Sequence, residues 1–167
     1  MFNIRPIAKE DNLIIGKIIR EVLAENHLDQ PGTAYFDPQL DYLYDYYKDI
    51  DGGQYWVVTG NNGLSGGVGI APIDFPGNTL GKVAELQKLY LDASVRGFGL
   101  SKDLMEVVIS FAQDFGYDYL YLETFHTLVA AIHVYEKFGF ERIEGPLFEG
   151  EHTTMDVFMV KDVRKHG

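Results

Sequence analysis

The spacing of apolar residues changes several times along the chain, and each change predicts an element. Phe2, Ile4 and Pro6 alternate with polar neighbours, so Phe2–Ile7 reads as a short strand. From about Asp11 to Asn26 the spacing is helical, with Leu13, Ile14, Ile18, Ile19, Val22 and Leu23 as the apolar stripe. Leu28–Pro38 is dense in turn formers, Pro31-Gly32 most of all. Asp37-Pro38 then reads as an N-cap followed by a first-turn proline, opening a second helix through about Lys48 with Leu40, Leu43 and Tyr47 inward. Two runs, Gln54–Thr59 and Leu64–Ile73, flank Gly60-Asn61-Asn62-Gly63 as a hairpin. Gly66, Gly67 and Gly69 in the second run predict a bulge or a close approach.

A further strand starts near Lys82 and ends at Leu91 or Asp92. It is followed by a glycine turn and a helix from Ser101 to Phe115 with Leu104, Val107, Val108, Phe111 and Phe115 on one face and Gly116 as its stop. Tyr117–Phe125 is a strand, Thr127–Phe138 a short helix closed by Gly139, and Phe140–Ile143 another strand. Thr153–Val160, with Met155, Val157 and Met159 alternating, is the last. This order is that of a mixed α/β sheet with helices on both faces. With 167 residues it is expected to form a single domain over 1–167, long enough to bury about two thirds of its unfolded surface.

Charge and residue types narrow the chemistry. Lys plus Arg number 14 against 25 for Asp plus Glu, a net charge of -11, and there is no basic patch. Nucleic acid is therefore not expected as a partner, and small cations are the more natural ones. The absence of cysteine excludes disulfides, thiolate metal sites and a thiol nucleophile. His27, His126, His133, His152 and His166 fall into no recognised ligand spacing, so no metal is expected. The N-terminus lacks the apolar run of a signal peptide and no segment has the length to cross a bilayer, which predicts a cytoplasmic protein without a membrane partner. The second helix carries Tyr42, Tyr44, Tyr46 and Tyr47 among Asp41, Asp45 and Asp49. It reads either as an amphipathic helix with solvated acids, the commoner case, or as an acidic, aromatic wall for an amine cation.

The chemistry concentrates in Ala84–Leu104. Gly97 and Gly99 flank Phe98 where a strand must turn sharply into a helix, and glycine tolerates the positive φ such a turn demands. Exposed amides at the positive end of the following helix make a seat for phosphate oxygens. A nucleoside-triphosphate loop and a dinucleotide fingerprint both need other spacings, Lys102 standing where the latter has its third glycine. Arg96-Gly97-Phe98-Gly99-Leu100-Ser101 instead resembles the R/Q-x-x-G-x-G/A acyl-CoA loop of the GNAT superfamily of N-acetyltransferases, with Ser101 in place of its last Gly or Ala. Two more blocks agree: Glu85-Leu86-Gln87-Lys88-Leu89-Tyr90-Leu91, and Ala131 to Phe140 ending in Tyr135-Glu136-Lys137-Phe138-Gly139-Phe140, which is similar to A-x-x-x-Y-E-K-x-G-F. Together they cover the C-terminal half; the N-terminal half fits by element order.

The resemblance implies a GNAT-like fold, a mixed sheet of about seven strands whose central parallel strands splay. It also implies acetyl-CoA as cosubstrate, held by Leu89, Tyr90, Leu91, Arg96, Gly97, Phe98, Gly99, Leu100, Ser101 and Lys102. A backbone N–H near Leu89 would face the thioester carbonyl, Leu91 would pair with the pantetheine amides, and Tyr135 would protonate the departing thiolate. Periodicity alone would make Tyr135 a core aromatic, since Ala131, Val134, Tyr135 and Phe138 share a face. Glu85 matches the general base of the histone-modifying branch. At about 3.3 Å per residue its backbone lies roughly 13 Å from Leu89, so it would act through water. Glu123 is the rival base or a substrate contact, and Tyr35 and His152 are further substrate candidates, His152 ending the segment Gly145 to His152. Where the family carries Asn seven residues before the tyrosine this chain has Leu128, and that contact is not carried over. The implied reaction is acetyl transfer to the primary amine of a small molecule or of an amino-acid-like or peptide substrate, by an enzyme that the resemblance allows to be a homodimer. A non-catalytic acyl-CoA-binding module is the alternative, and nucleotide binding by another α/β fold is disfavoured by the glycine spacing.

Overall fold

The computed structural model describes residues 1–150 and 152–165. His166 and Glu151, the latter within the expected segment from Gly145 to His152, lie outside the described residues. Seven strands, β1 (Asn3–Pro6), β2 (Gln54–Gly60), β3 (Gly63–Ile73), β4 (Val83–Leu91), β5 (Tyr119–Thr124), β6 (Glu141–Ile143) and β7 (Val157–Asp162), form one sheet in the order β1-β2-β3-β4-β5-β7-β6. Only β4 and β5 pair in parallel; the other neighbours are antiparallel.

Both sheet faces are covered, which is why β2 reads as an almost unbroken apolar run. Tyr55 and Val57 point into a core with Ile15, Ile19 and Leu23 of α1 (Asn12–Glu25) and Leu43 and Tyr47 of α2 (Leu43–Lys48). Trp56 and Val58, displaced by the strand's period of two, join the opposite core with Leu104, Met105 and Val108 of α3 (Leu100–Phe115) and Ile132 and Tyr135 of α4 (Val129–Lys137).

Three expectations are corrected. Leu13 and Ile14 do not belong to the buried stripe of α1: they are 72% and 52% exposed. The inward positions of that first turn are polar. Asp11 accepts from Arg5 at 2.7 and 2.9 Å and from the Ala8 amide at 2.8 Å, while Asn12 donates to Asp45 at 3.0 Å and accepts from the Tyr44 amide at 2.8 Å.

The second helix is broken. Pro38–Asp41 is a 3-10 turn, the chain leaves helical geometry at Tyr42, and only Leu43–Lys48 is α-helical. Asn12 satisfies an amide at the start of α2 that a continuous helix would have satisfied itself. Leu40, Leu43 and Tyr47 are nonetheless inward, and two of the acids are matched by cations, Asp41 by Arg20 at 2.7 Å and Asp45 by Lys9 and Lys48 at 3.9 Å each. The helix is amphipathic with a solvated acidic face.

The last strand starts at Val157 rather than Thr153. Thr153 and Thr154 form a turn instead, where the Thr154 amide donates to Gly32 O at 3.0 Å and its hydroxyl to Pro31 O at 2.8 Å.

The sheet opens at its centre. β4 and β5 pair only at Val83↔Tyr119, Ala84↔Leu120 and Glu85↔Tyr121, although β4 continues to Leu91 and β5 to Thr124. β5 stays zipped to β7 as far as Thr124↔Val157, so it is the β4 side that departs. On the other edge of β4 the register passes from Gly69↔Gln87 to Gly67↔Tyr90, placing Val68 opposite both Lys88 and Leu89. This is a β-bulge with its extra residue on β4, and Lys88 has a φ of 52°. The glycines of β3 also make room: a Cβ on Gly69 would lie 2.7 Å from the Tyr47 hydroxyl, and one on Gly67 2.5 Å from the Tyr55 ring.

Candidate active site

Where β4 and β5 part lies a cleft of about 810 Å³, lined by Lys88 to Leu91 of β4, Leu122 to Thr124 of β5, the end of α1, the loop before α3, and α4. At one end is the glycine turn. Gly97 and Gly99 have φ of 89° and 75°, conformations a side chain disfavours, and a Cβ on either would meet no atom within 4 Å. The space in front of the turn is therefore open. Gly99 is the N-cap of α3, and the first helical bond, Asp103 N–H to Gly99 O at 3.2 Å, leaves the amides of Leu100, Ser101 and Lys102 without helical acceptors at the positive helix end. Arg96 donates to Leu91 O at 3.0 and 3.2 Å and to Glu25 at 3.3 Å, tying the end of β4 to α1. Phe98 is not part of the cleft lining: the residue is 63% exposed and its ring packs on Phe2 at 5.4 Å.

Tyr135 stands on α4 with its ring against Phe140 at 5.9 Å and its side chain in the cleft lining. Burial pushes its phenol well above the ordinary tyrosine range, so it keeps its proton at neutral pH. It belongs to the core and to the cleft at once. Leu128, the N-cap of α4, also lines the cleft.

On the other side of β4 and β5 the polar groups gather. Glu123 lines the cleft and accepts from the Tyr121 hydroxyl at 2.7 Å. Burial raises its carboxyl, and that hydrogen bond only partly opposes it. Glu85 sits deeper, outside the cleft lining, accepting from the Gln87 amide at 2.8 Å, while the Gln87 oxygen accepts from Tyr47 at 2.6 Å. Burial raises Glu85 too, against the Gln87 bond and with help from the charge of Glu123. Tyr35 meets Phe36 edge-on at 5.1 Å and is not part of the cleft lining.

His152 meets a residue that the sequence presents as a helix cap. Its Nε2 lies 2.9 and 3.0 Å from the two oxygens of Asp37, and Lys88 Nζ lies 2.9 Å from the same carboxylate. Asp37 makes no capping bond through its side chain. Burial alone would raise the Asp37 carboxyl, but the His152 hydrogen bond and the Lys88 charge outweigh it and hold it below the usual range. Asp37 in turn raises His152. Sequence reasoning missed Asp37 and the Lys88 side chain; the available signal was a lysine inside a strand covered on both faces, where an unpaired charge is rarely tolerated.

The sequence profile of the acetyltransferase (GNAT) family matches residues 20–140. The chain belongs to this family. An N-acetyltransferase of Escherichia coli K12 called YjgM, itself uncharacterized, is 37% identical over 95% of this chain and 93% of its own length. Human N-acetyltransferase 8B is 31% identical over 68% of this chain and 51% of its own length. Among solved structures, a GNAT acetyltransferase of Staphylococcus aureus Mu50 superposes with a TM-score of 0.82 at 20% identity, covering 98% of this chain and 99% of that one. A Salmonella typhimurium protein solved with its cofactor acetyl-CoA gives 0.67 at 18% identity, covering 99% and 95%. The seven-stranded sheet is thus the GNAT fold, and this GNAT enzyme is an acetyl-CoA-dependent N-acetyltransferase. Among the described residues no group of three or more His, Asp or Glu could hold a metal ion, and no helix is long and apolar enough to cross a membrane.

Proposed function

We propose that this enzyme transfers acetyl from acetyl-CoA directly to the primary amine of a small-molecule or amino-acid-like or peptide acceptor, both substrates being bound together. The observation that carries the reading is the parting of β4 from β5 beyond Glu85, which sets a glycine turn with open amides and a buried phenol into one cleft.

In this reading the diphosphate sits on the amides from Gly97 to Lys102, with Arg96 and the Lys102 side chain at the rim, and Tyr90 and Leu91 pair with the pantetheine arm as with an added strand. The backbone at Leu89 faces the thioester carbonyl and stabilises the oxyanion. The acceptor nitrogen bonds to the carbonyl carbon as the carbon–sulfur bond breaks. The amine proton leaves through water to Glu123, and the Tyr135 phenol protonates the thiolate, giving an amide and CoA. Glu123 is preferred over Glu85 because it lines the cleft, while Gln87 engages Glu85 behind it. His152, held to β4 through Asp37, then borders the acceptor, with Glu85 behind it.

Tyr135→Phe tests this directly. With an accepted amine, found by screening polyamines, aminoglycosides, amino acids and peptide N-termini for amine-dependent thiol release, kcat should fall by about 10²-fold or more, as for loss of a general acid. Acetyl-CoA affinity measured by calorimetry should stay within about threefold, because the cradle is untouched. Absence of acetyl-CoA binding to the unmodified protein, or an undiminished kcat in the variant, would refute the assignment.

A further inference from the structure

Lys88 holds a backbone conformation in which a side chain is disfavoured, at the bulge position that glycine occupies without strain. Something must keep it there, and the contacts name it. The Lys88 carbonyl accepts from the Tyr55 hydroxyl at 2.9 Å, and its ammonium reaches Asp37 at 2.9 Å, both charged side chains being only 5% exposed. A buried ion pair adds little net stability, yet removing one partner strands the other charge in the interior, so the pair holds its geometry firmly. Asp37 comes from the irregular segment before the 3-10 turn Pro38–Asp41, far in sequence from the strand it grips. The same carboxylate receives His152, whose neighbour Thr154 is fastened to Pro31 and Gly32. One buried anion thus joins the bulge of β4 to the chain segment that leads into β7.

We propose that Asp37 is a positioning residue for acetyl transfer: its carboxylate clamps Lys88 so that the bulge keeps the backbone of Leu89 in place at the cleft, and it anchors His152 at the acceptor side to the same point. The role of Leu89 rests on the reading given under Proposed function; the clamp on the bulge does not. Lys88 and Leu89 share one opposite residue on β3 and have no partner on β5, so the clamp adds a side-chain hold where one-to-one sheet pairing is interrupted.

The test compares Asp37→Ala with the double variant Asp37→Ala/Lys88→Gly. In the single variant kcat should fall by about 10²-fold, the scale of a displaced oxyanion donor, with acetyl-CoA affinity within about threefold of the parent. In the double variant the stranded ammonium is gone and glycine adopts positive φ freely, so kcat at saturating acceptor should recover to within about tenfold of the parent, while the lost anchor of His152 shows as a raised acceptor KM in both variants. A residue that simply bound the acceptor amine could not be rescued by a glycine at position 88. Deuterium exchange over residues 86–91 gives a readout independent of turnover: faster in the single variant, restored in the double. A folded double variant as slow as the single one, or a single variant with unchanged kcat and exchange, would overturn the proposal. If the unmodified protein transferred no acetyl group, the enzymatic reading would fail while exchange alone still decided the clamp. Should Asp37→Ala not fold, Asp37→Asn, which keeps the shape, takes its place in the same comparison.

Discussion

His152 and Asp37 stabilise the fold over a definite pH range, and the sign follows from their shifts. Asp37 raises His152 through a hydrogen bond, with Lys88 opposing and Glu85 adding to the effect. A histidine raised in the folded state contributes fully below its unfolded value of about 6.5, and the contribution is lost as pH rises through the higher folded value. Asp37 is lowered, burial being outweighed by His152 and Lys88, so its contribution is present above its unfolded value of about 3.9 and lost as pH falls through the lower folded value. Both are satisfied together between about pH 4 and 6.5. The difference in thermal midpoint between the parent and His152→Gln, followed by circular dichroism, should therefore be larger at about pH 5.5 than at about pH 9. An equal difference at both would mean that His152 contributes packing alone.

Among the elements, the N-terminus of α3 carries the most specific expectation. Gly99 needs its φ of 75° to end the turn and start the helix, and its missing Cβ opens on empty space rather than on a neighbour. Gly99→Ala should then cost about 1–2 kcal/mol in stability, the penalty for a left-handed side chain, without a clash term. It should also weaken acetyl-CoA by about tenfold, the effect of one lost or misdirected charge-assisted amide bond, while acetyl-pantetheine, which lacks the diphosphate, loses almost nothing. Equal losses for the two thioesters would place the diphosphate elsewhere. The ends of α3 were legible in the sequence because Gly99 and Gly116 are local signals, both with positive φ. The glycine turn before α3 and the β2–β3 hairpin were legible for the same kind of reason. What was not legible depends on partners far along the chain: the expected helix from Pro38 breaks at Tyr42, with Asn12 taking up the Tyr44 amide at the start of α2, and β7 is shortened where Gly32 captures Thr154. Asp37 was misread because an aspartate before a proline suits a helix cap as well as a buried ion pair, and only the folded chain brings Lys88 and His152 to it.

At the scale of the molecule, the GNAT sheet carries a core on each face, and β4 and β5 are joined across its centre by the pairing of Val83 to Glu85 with Tyr119 to Tyr121 alone. Beyond these residues the facing edges of β4 and β5 are not paired with each other and border the cleft, so a ligand bound there would lie against both strands. Acetyl-CoA that binds only the folded state must therefore stabilise the whole domain by mass action, about 2.7 kcal/mol when present at 100 times its Kd. For a domain of this size each kcal/mol moves the midpoint by about 2–4 °C, so scanning calorimetry at saturating acetyl-CoA should show a rise of about 5–10 °C. Slowed deuterium exchange should concentrate in β4 beyond Glu85 and in β5, with β1 and β2 at the far edge little changed. The net charge of -11 sharpens the expectation, because on the proposed reading a polyanionic cofactor is repelled by the surface at large and drawn by the amides at the start of α3 and by the cations Arg96, Lys102 and Lys137 in the cleft lining. Gly99→Ala, which misdirects that cradle, should shrink the midpoint rise at the same cofactor concentration. A rise that is absent in the parent protein at millimolar acetyl-CoA, or exchange protection confined to β1 and β2, would show that the gap between the central strands is not where the cofactor goes.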